Sequence, residues 1–201
     1  MSGFYLALEG GEGAGKTTVV RLLEESLSER GETVVSVREP GTTALGDEIR
    51  RLVLHWQEMA PWAEAMLFAA QRAQLIAEIV GPALTRGDFV ITDRSLYSSL
   101  AYQGVARGLG VDRVRTVNEL AVDGVVPNLV VVLAVDPTTG RSRQADPDRI
   151  GSNDEAVQTV VSSAYQSLAE AEPGKVVIIP VEDNPEIVAA RIIGMVEERR
   201  G

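Results

Sequence analysis

Cysteine is absent from the 201 residues, so neither a disulfide nor a thiolate metal site can form. Basic residues are scarce: 19 Lys and Arg stand against 29 Asp and Glu, giving a net charge of −10 and a pI near 4.7. Long nucleic acid is therefore disfavoured as a partner, because such binding depends on clustered cations that neutralise phosphates. No apolar run approaches the roughly 20 residues that a membrane helix needs. The start, Met1-Ser2-Gly3-Phe4, has no basic segment ahead of an apolar stretch. A soluble cytoplasmic protein without a membrane partner is expected. The one histidine, His55, has no metal-ligating cluster beside it and reads as surface or packing. Repeats, low-complexity tracts and linkers are missing too, so the 45% hydrophobic content points to a single domain over 1–201.

What is present begins with Gly10-Gly11-Glu12-Gly13-Ala14-Gly15-Lys16-Thr17, a full G-x-x-x-x-G-K-[ST] match between the apolar run Phe4 to Leu8 and an amphipathic stretch from Thr17 to Arg30. Glycines let successive N–H groups turn inward on a polyphosphate, and the following helix adds the positive end of its dipole. In such a loop Lys16 would reach the β- and γ-phosphates and Thr17 would ligate Mg²⁺. A glycine-rich turn that only closes a β-α unit does not call for Lys-Thr after its last glycine.

Short runs rich in β-branched residues alternate with helix-length segments along the chain. Phe4 to Glu9, Thr33 to Val37, Phe89 to Thr92, Leu129 to Val135 and Val176 to Ile179 read as five strands buried on both sides. One helix ends near Arg30 with Gly31 beyond it, and a long one runs from about Pro61 to Thr85. The pattern predicts an α/β fold of three layers, with a five-stranded parallel sheet flanked by helices. Asp136 to Gly151 is polar, has no clear period and carries Arg141, Arg143 and Arg149. It reads either as a solvated loop or as a lid, at about 137–151, that closes over a nucleotide.

In open parallel sheets ligands sit beyond the C-terminal strand ends. The second strand ends in Arg38-Glu39-Pro40-Gly41-Thr42 and the third in Asp93-Arg94. Asp93 is placed either to support Mg²⁺ through its water shell or to cap a helix. Arg94 either pairs with that carboxylate or grips a second phosphate. The chain has no Asn-Lys-x-Asp for guanine and no Leu-Ser-Gly-Gly-Gln, which weakens a GTPase and a transporter ATPase. Two phosphate sites suit a kinase with a phosphorylated acceptor.

These residues resemble the bacterial thymidylate kinases, nucleoside monophosphate kinases that convert dTMP to dTDP. The likeness rests on Glu9 to Thr18, Arg38-Glu39-Pro40-Gly41-Thr42-Thr43, Leu67-Phe68-Ala69-Ala70-Gln71-Arg72, Asp93-Arg94 and Ser98-Ser99-Leu100-Ala101-Tyr102-Gln103-Gly104, and more loosely on Asp148-Arg149-Ile150 and Tyr165 to Ala169. It implies that the α/β fold is the three-layer P-loop kinase fold, and that Gly10 to Thr18 bind ATP, with Lys16 catalytic and Thr17 and Asp93 serving Mg²⁺. It implies further that Arg38 and Arg94 hold the acceptor phosphate, Phe68 stacks on thymine and Arg72 donates to a base carbonyl. Ser98, Ser99 and Gln103 line the base pocket, Tyr102 lies under a deoxyribose, and Glu12 reaches its 3′-hydroxyl. Arg141 or Arg143 brings positive charge to the transferring group, Arg149 serves the donor or the structure, and a homodimer is implied. A kinase for another nucleotide or nucleoside and a non-catalytic P-loop regulator are the alternatives. Three features depart from the family pattern: Ser95 after Asp-Arg, Thr42 for a second glycine, and a short lid.

Overall fold

The computed structural model describes residues 3–136, 139–140, 155–181 and 184–201. Five strands, β1 (Phe4–Gly10), β2 (Val34–Arg38), β3 (Phe89–Asp93), β4 (Leu129–Ala134) and β5 (Val176–Pro180), form one parallel sheet in the order β2-β3-β1-β4-β5. The helices are α1 (Lys16–Glu29), α2 (Ala44–His55), α3 (Pro61–Leu75), α4 (Gly81–Arg86), α5 (Leu96–Ser99), α6 (Val111–Val122), α7 (Glu155–Ala171) and α8 (Pro185–Arg200).

Alternation along β1 sorts the core into two layers. Phe4, Leu6 and Leu8 face one side, where Val19, Leu23 and Leu27 of α1 meet Ile192, Ile193 and Val196 of α8. Tyr5 and Ala7 face the other, against Leu75, Val80, Leu100, Val114, Tyr165 and Leu168. The four-residue spacing of Val19, Leu23 and Leu27 is what gives α1 its buried stripe. Each such large side chain contributes about 1.5–3 kcal/mol by leaving water.

The expectation of five doubly buried strands holds for β1, β3 and β4 and is corrected at the edges. β2 and β5 are only partly buried, because each is an edge strand that pairs with one neighbour. The single helix expected from Pro61 to Thr85 is also corrected. It divides into α3, a π-turn over Ile76–Val80 and α4. Pro82 has no N–H to give the ladder and its ring would meet the carbonyl four residues back; the wider turn, closed by Gly81 N–H on the Ile76 carbonyl, relieves both. Gly31 follows α1 with φ 85°, as the C-terminal signal predicts.

Candidate active site

The C-terminal ends of β1, β2 and β3 open onto a cavity of about 930 Å³. Its donor end is the loop between β1 and α1, with Gly13 to Thr18 in the wall. Gly13 is required twice over: its φ is 69°, and a Cβ would stand 2.0 Å from the carbonyl oxygen of Gly140, which leans on the loop from beyond β4. Lys16 is the first residue of α1 and is buried, its Nζ donating to the carbonyls of Gly10 (3.2 Å) and Gly11 (3.0 Å). Burial, then the nearby Arg94 cation, bring its pKa down to about 8. Thr17 and Thr18 are exposed toward the same space.

Arg94 does not pair with Asp93. Its guanidinium bonds Glu12 of the loop at 3.1 Å, the Gly10 carbonyl at 3.3 Å and Ser98 Oγ at 3.3 Å, and lies 5.4 Å from the Tyr102 ring centre. Its backbone is left-handed, φ 74°, held there by Arg94 N–H on the Leu8 carbonyl and by Thr92 Oγ–H on the Arg94 carbonyl. The helix cap considered for Asp93 belongs instead to Ser95, whose side chain accepts from Tyr97 N–H. Asp93 is left with a buried Oδ1 that has no hydrogen-bond partner, near Lys16 and on the cavity that Thr17 also lines. An unpaired buried carboxylate oxygen in a cavity that a P-loop threonine also lines fits a hydrated divalent cation.

At the acceptor end Phe68 packs on Ile49 and Val53 of α2 and borders the cleft with Ser98, Ser99, Tyr102 and Gln103. A second π-turn, Leu100–Ala106, carries Tyr102 and Gln103; Arg107 N–H closes it on the Tyr102 carbonyl. Gln103 Nε2 donates to Glu64 at 2.8 Å. Arg72 lies behind this wall, with its side chain 2% exposed. It pairs with Glu39 at 2.6 Å, donates to the Ser95 carbonyl at 3.0 Å and to Ser99 Oγ at 3.3 Å, and bonds Asn118. The salt bridge that Arg72 makes is thus a buried one. Two of its partners, Glu39 and Ser99, also line the cleft.

Several buried groups went unassigned in the sequence. Glu9, fully buried at the end of β1, accepts from Ser95 N–H (2.8 Å) and Oγ (2.7 Å), Ser98 N–H (3.2 Å) and Oγ (2.5 Å), and Tyr165 Oη (2.8 Å). Ser95, a departure from the family pattern, therefore serves as a donor pair to this carboxylate. Glu39 receives Gln71 Nε2 at 2.8 Å as well as Arg72, and burial raises its pKa against that pull. The signal that singled out Asp93, an acid ending an apolar strand, applies equally to Glu9; nothing in the sequence marks Asn118. Arg141, Arg143 and Arg149, with the lid expected at 137–151, lie outside the described residues apart from Thr139 and Gly140.

Comparison with known proteins gives a uniform answer. A family model described as Thymidylate kinase matches residues 8–192. The chain is 42% identical to a thymidylate kinase of Synechococcus sp. (strain JA-2-3B'a(2-13)), covering 97% of this chain and 95% of the relative. It is 43% identical to one of Leifsonia xyli subsp. xyli, covering 94% and 92%. The crystal structure of thymidylate kinase from Ehrlichia chaffeensis superposes with a TM-score of 0.81 at 28% identity, over 98% of this chain and all of that one. The fold, the phosphate loop and the acceptor motifs converge with these matches, and the chain belongs to the thymidylate kinase family.

Proposed function

We propose that the cleft is a two-nucleotide site in which the γ-phosphoryl group of ATP passes in line to a phosphate oxygen of dTMP, giving ADP and dTDP. Phosphorylation of dTMP follows from the family to which the chain belongs. The observation that carries the division of labour is that Lys16 and a separate pair of cations, Arg38 and Arg94, line one cavity from different strand ends. One cluster suits a donor polyphosphate and the other an acceptor phosphate.

Phosphoryl transfer has a loose transition state, so position and charge matter more than a general base. Lys16 leaves the Gly10 and Gly11 carbonyls and turns to the β- and γ-oxygens, while the N–H groups of Gly13 to Thr18 hold the phosphates. Thr17 and Asp93 are the residues that would hold Mg²⁺, which supplies charge neutralisation across the donor oxygens. Arg94 exchanges part of its hold on Glu12 for the acceptor phosphate, and Glu12 meets the sugar hydroxyl. Phe68 offers its ring to the thymine, with Ser98, Ser99 and Gln103 around it and Arg72 reaching the base past Ser99. Tyr102 fills the space a 2′-hydroxyl would need. The loop has no arginine of its own, so Arg141 or Arg143 supplies the remaining charge, with Arg149 near the donor.

A homodimer agrees with apolar side chains left exposed on adjacent helices, Leu45 of α2 at 49%, Met66 of α3 at 56% and Leu120 of α6 at 81%. Sedimentation at micromolar concentration should give twice the monomer mass; a monomer would remove the dimer. For the reaction, purified protein with Mg-ATP should turn over dTMP far better than dUMP, UMP, CMP or AMP. Equal use of another monophosphate would overturn the acceptor assignment.

A further inference from the structure

Thr42 stands where the family pattern has a second glycine, and its backbone is left-handed at φ 74°. For a β-branched residue this is a costly conformation, so something local must hold it. The holding contacts are both to Arg38. Arg38 N–H donates to Thr42 Oγ1 at 2.9 Å, and Thr42 Oγ1 donates to the Arg38 carbonyl at 3.1 Å.

The need for them comes from the sheet. β2 is an edge strand, and Glu39 N–H already bonds the Asp93 carbonyl on β3. Since bonding direction alternates along a parallel strand, the N–H and C=O of Arg38 point to the open edge. One hydroxyl there takes the place of the missing strand for both groups. The same turn is braced by Gly41 N–H on Gln71 Oε1 at 3.4 Å and by Arg50 on the Pro40 carbonyl at 2.9 Å. A glycine at 42 would relax the backbone and leave both Arg38 groups to water.

We infer that Thr42 is a positioning residue for the acceptor phosphate: its hydroxyl locks the backbone of Arg38, so that the guanidinium is presented to dTMP in one arrangement. The strain at position 42 is accepted in exchange. This rests on Arg38 holding the acceptor, so the experiment includes Arg38→Ala alongside Thr42→Ser, Thr42→Val and Thr42→Gly.

Steady-state kinetics should show KM for dTMP raised on the order of five-fold in Thr42→Val and Thr42→Gly, the worth of one or two neutral hydrogen bonds. Thr42→Ser should stay near wild type, and KM for ATP should not move in any variant. Thr42→Gly should also melt at or above the wild-type temperature, because strain is gone; weaker acceptor binding with undiminished stability is a combination that a merely structural role would not give. If Thr42→Val and Thr42→Gly keep the wild-type KM while Arg38→Ala raises it, Thr42 has no such role and the acceptor site stands. An equal rise in both KM values with a lower melting temperature also overturns the inference. If Arg38→Ala leaves KM for dTMP unchanged, the acceptor reading itself fails.

Discussion

The two ends of the cleft are built from different materials. At the donor end the binding groups are contiguous in the chain, mostly backbone N–H groups, and the conformation is set by glycines such as Gly13. The acceptor end is assembled from side chains that lie far apart in sequence. Arg72, Glu39, Gln71 and Asn118 are buried together, and Glu9 gathers Ser95, Ser98 and Tyr165. A backbone site tolerates the loss of a side chain structurally, whereas a buried polar network depends on every member being satisfied. Stability and catalysis should therefore separate between the two ends.

The largest effect tests the acceptor end. Glu39→Ala removes the counter-charge of Arg72, whose side chain is 2% exposed, and strands a cation in the core. Breaking a buried pair in this way costs about 3–5 kcal/mol of stability, which denaturant unfolding should register. A loss under about 1 kcal/mol would show that the bonds Arg72 already makes to the Ser95 carbonyl, Ser99 and Asn118 suffice to hold the cation, and would dissolve the contrast.

At the donor end the same logic inverts. Lys16→Ala should lower turnover with dTMP by about a hundred- to a thousand-fold, in line with other positioned donors in dry sites. The fold should not weaken, because the deleted charge is one that burial already disfavours. Unchanged turnover would take Lys16 out of the reaction. Smaller again is Tyr165→Phe, which removes one of the donors to buried Glu9. About 1–3 kcal/mol of stability should go with it, together with weaker dTMP binding, since Ser98 shares that carboxylate.

The contrast also explains what could be read from the sequence. A site made of backbone must be contiguous, so Gly10 to Thr17 was legible as a motif and its strand-to-helix setting as periodicity. The central strands were legible because β1, β3 and β4 are buried on both faces and read as apolar runs. Arg38 and Arg94 were legible from their strand ends, whereas Phe68, Arg72 and Tyr102 were reachable only through family likeness, since no spacing rule joins Arg72 to Asn118 or Glu9 to Tyr165. Glu39 and Gln71 sat inside recognised motifs without a role, because their work is to hold Arg72 and the Gly41 turn. The π-turn before Gly81-Pro82 escaped for another reason: a proline signals that a helix must break, but not that it can widen and continue.

At the donor end Lys16 titrates within reach of ordinary solution pH. Burial, then Arg94, hold the Lys16 pKa at about 8 against an ordinary 10.5. A polyphosphate reverses the balance by favouring the ammonium. In the free protein Lys16 is therefore mostly protonated below pH 8 and mostly neutral above it, while the ATP complex stays protonated. Binding must take up a proton above pH 8, and ATP affinity should fall by up to about tenfold per pH unit, the equivalent of about 1.4 kcal/mol. Folding responds with the opposite sign. The unfolded chain holds the Lys16 proton up to its ordinary pKa, so this group's contribution to stability rises as pH increases from about 8 toward 10.5. Titration calorimetry in buffers of different ionisation enthalpy measures the proton uptake directly. Lys16→Arg keeps the charge at every pH examined and should abolish both trends; persistence of the affinity slope in that variant would assign it to another group and leave the donor end without a titrating residue.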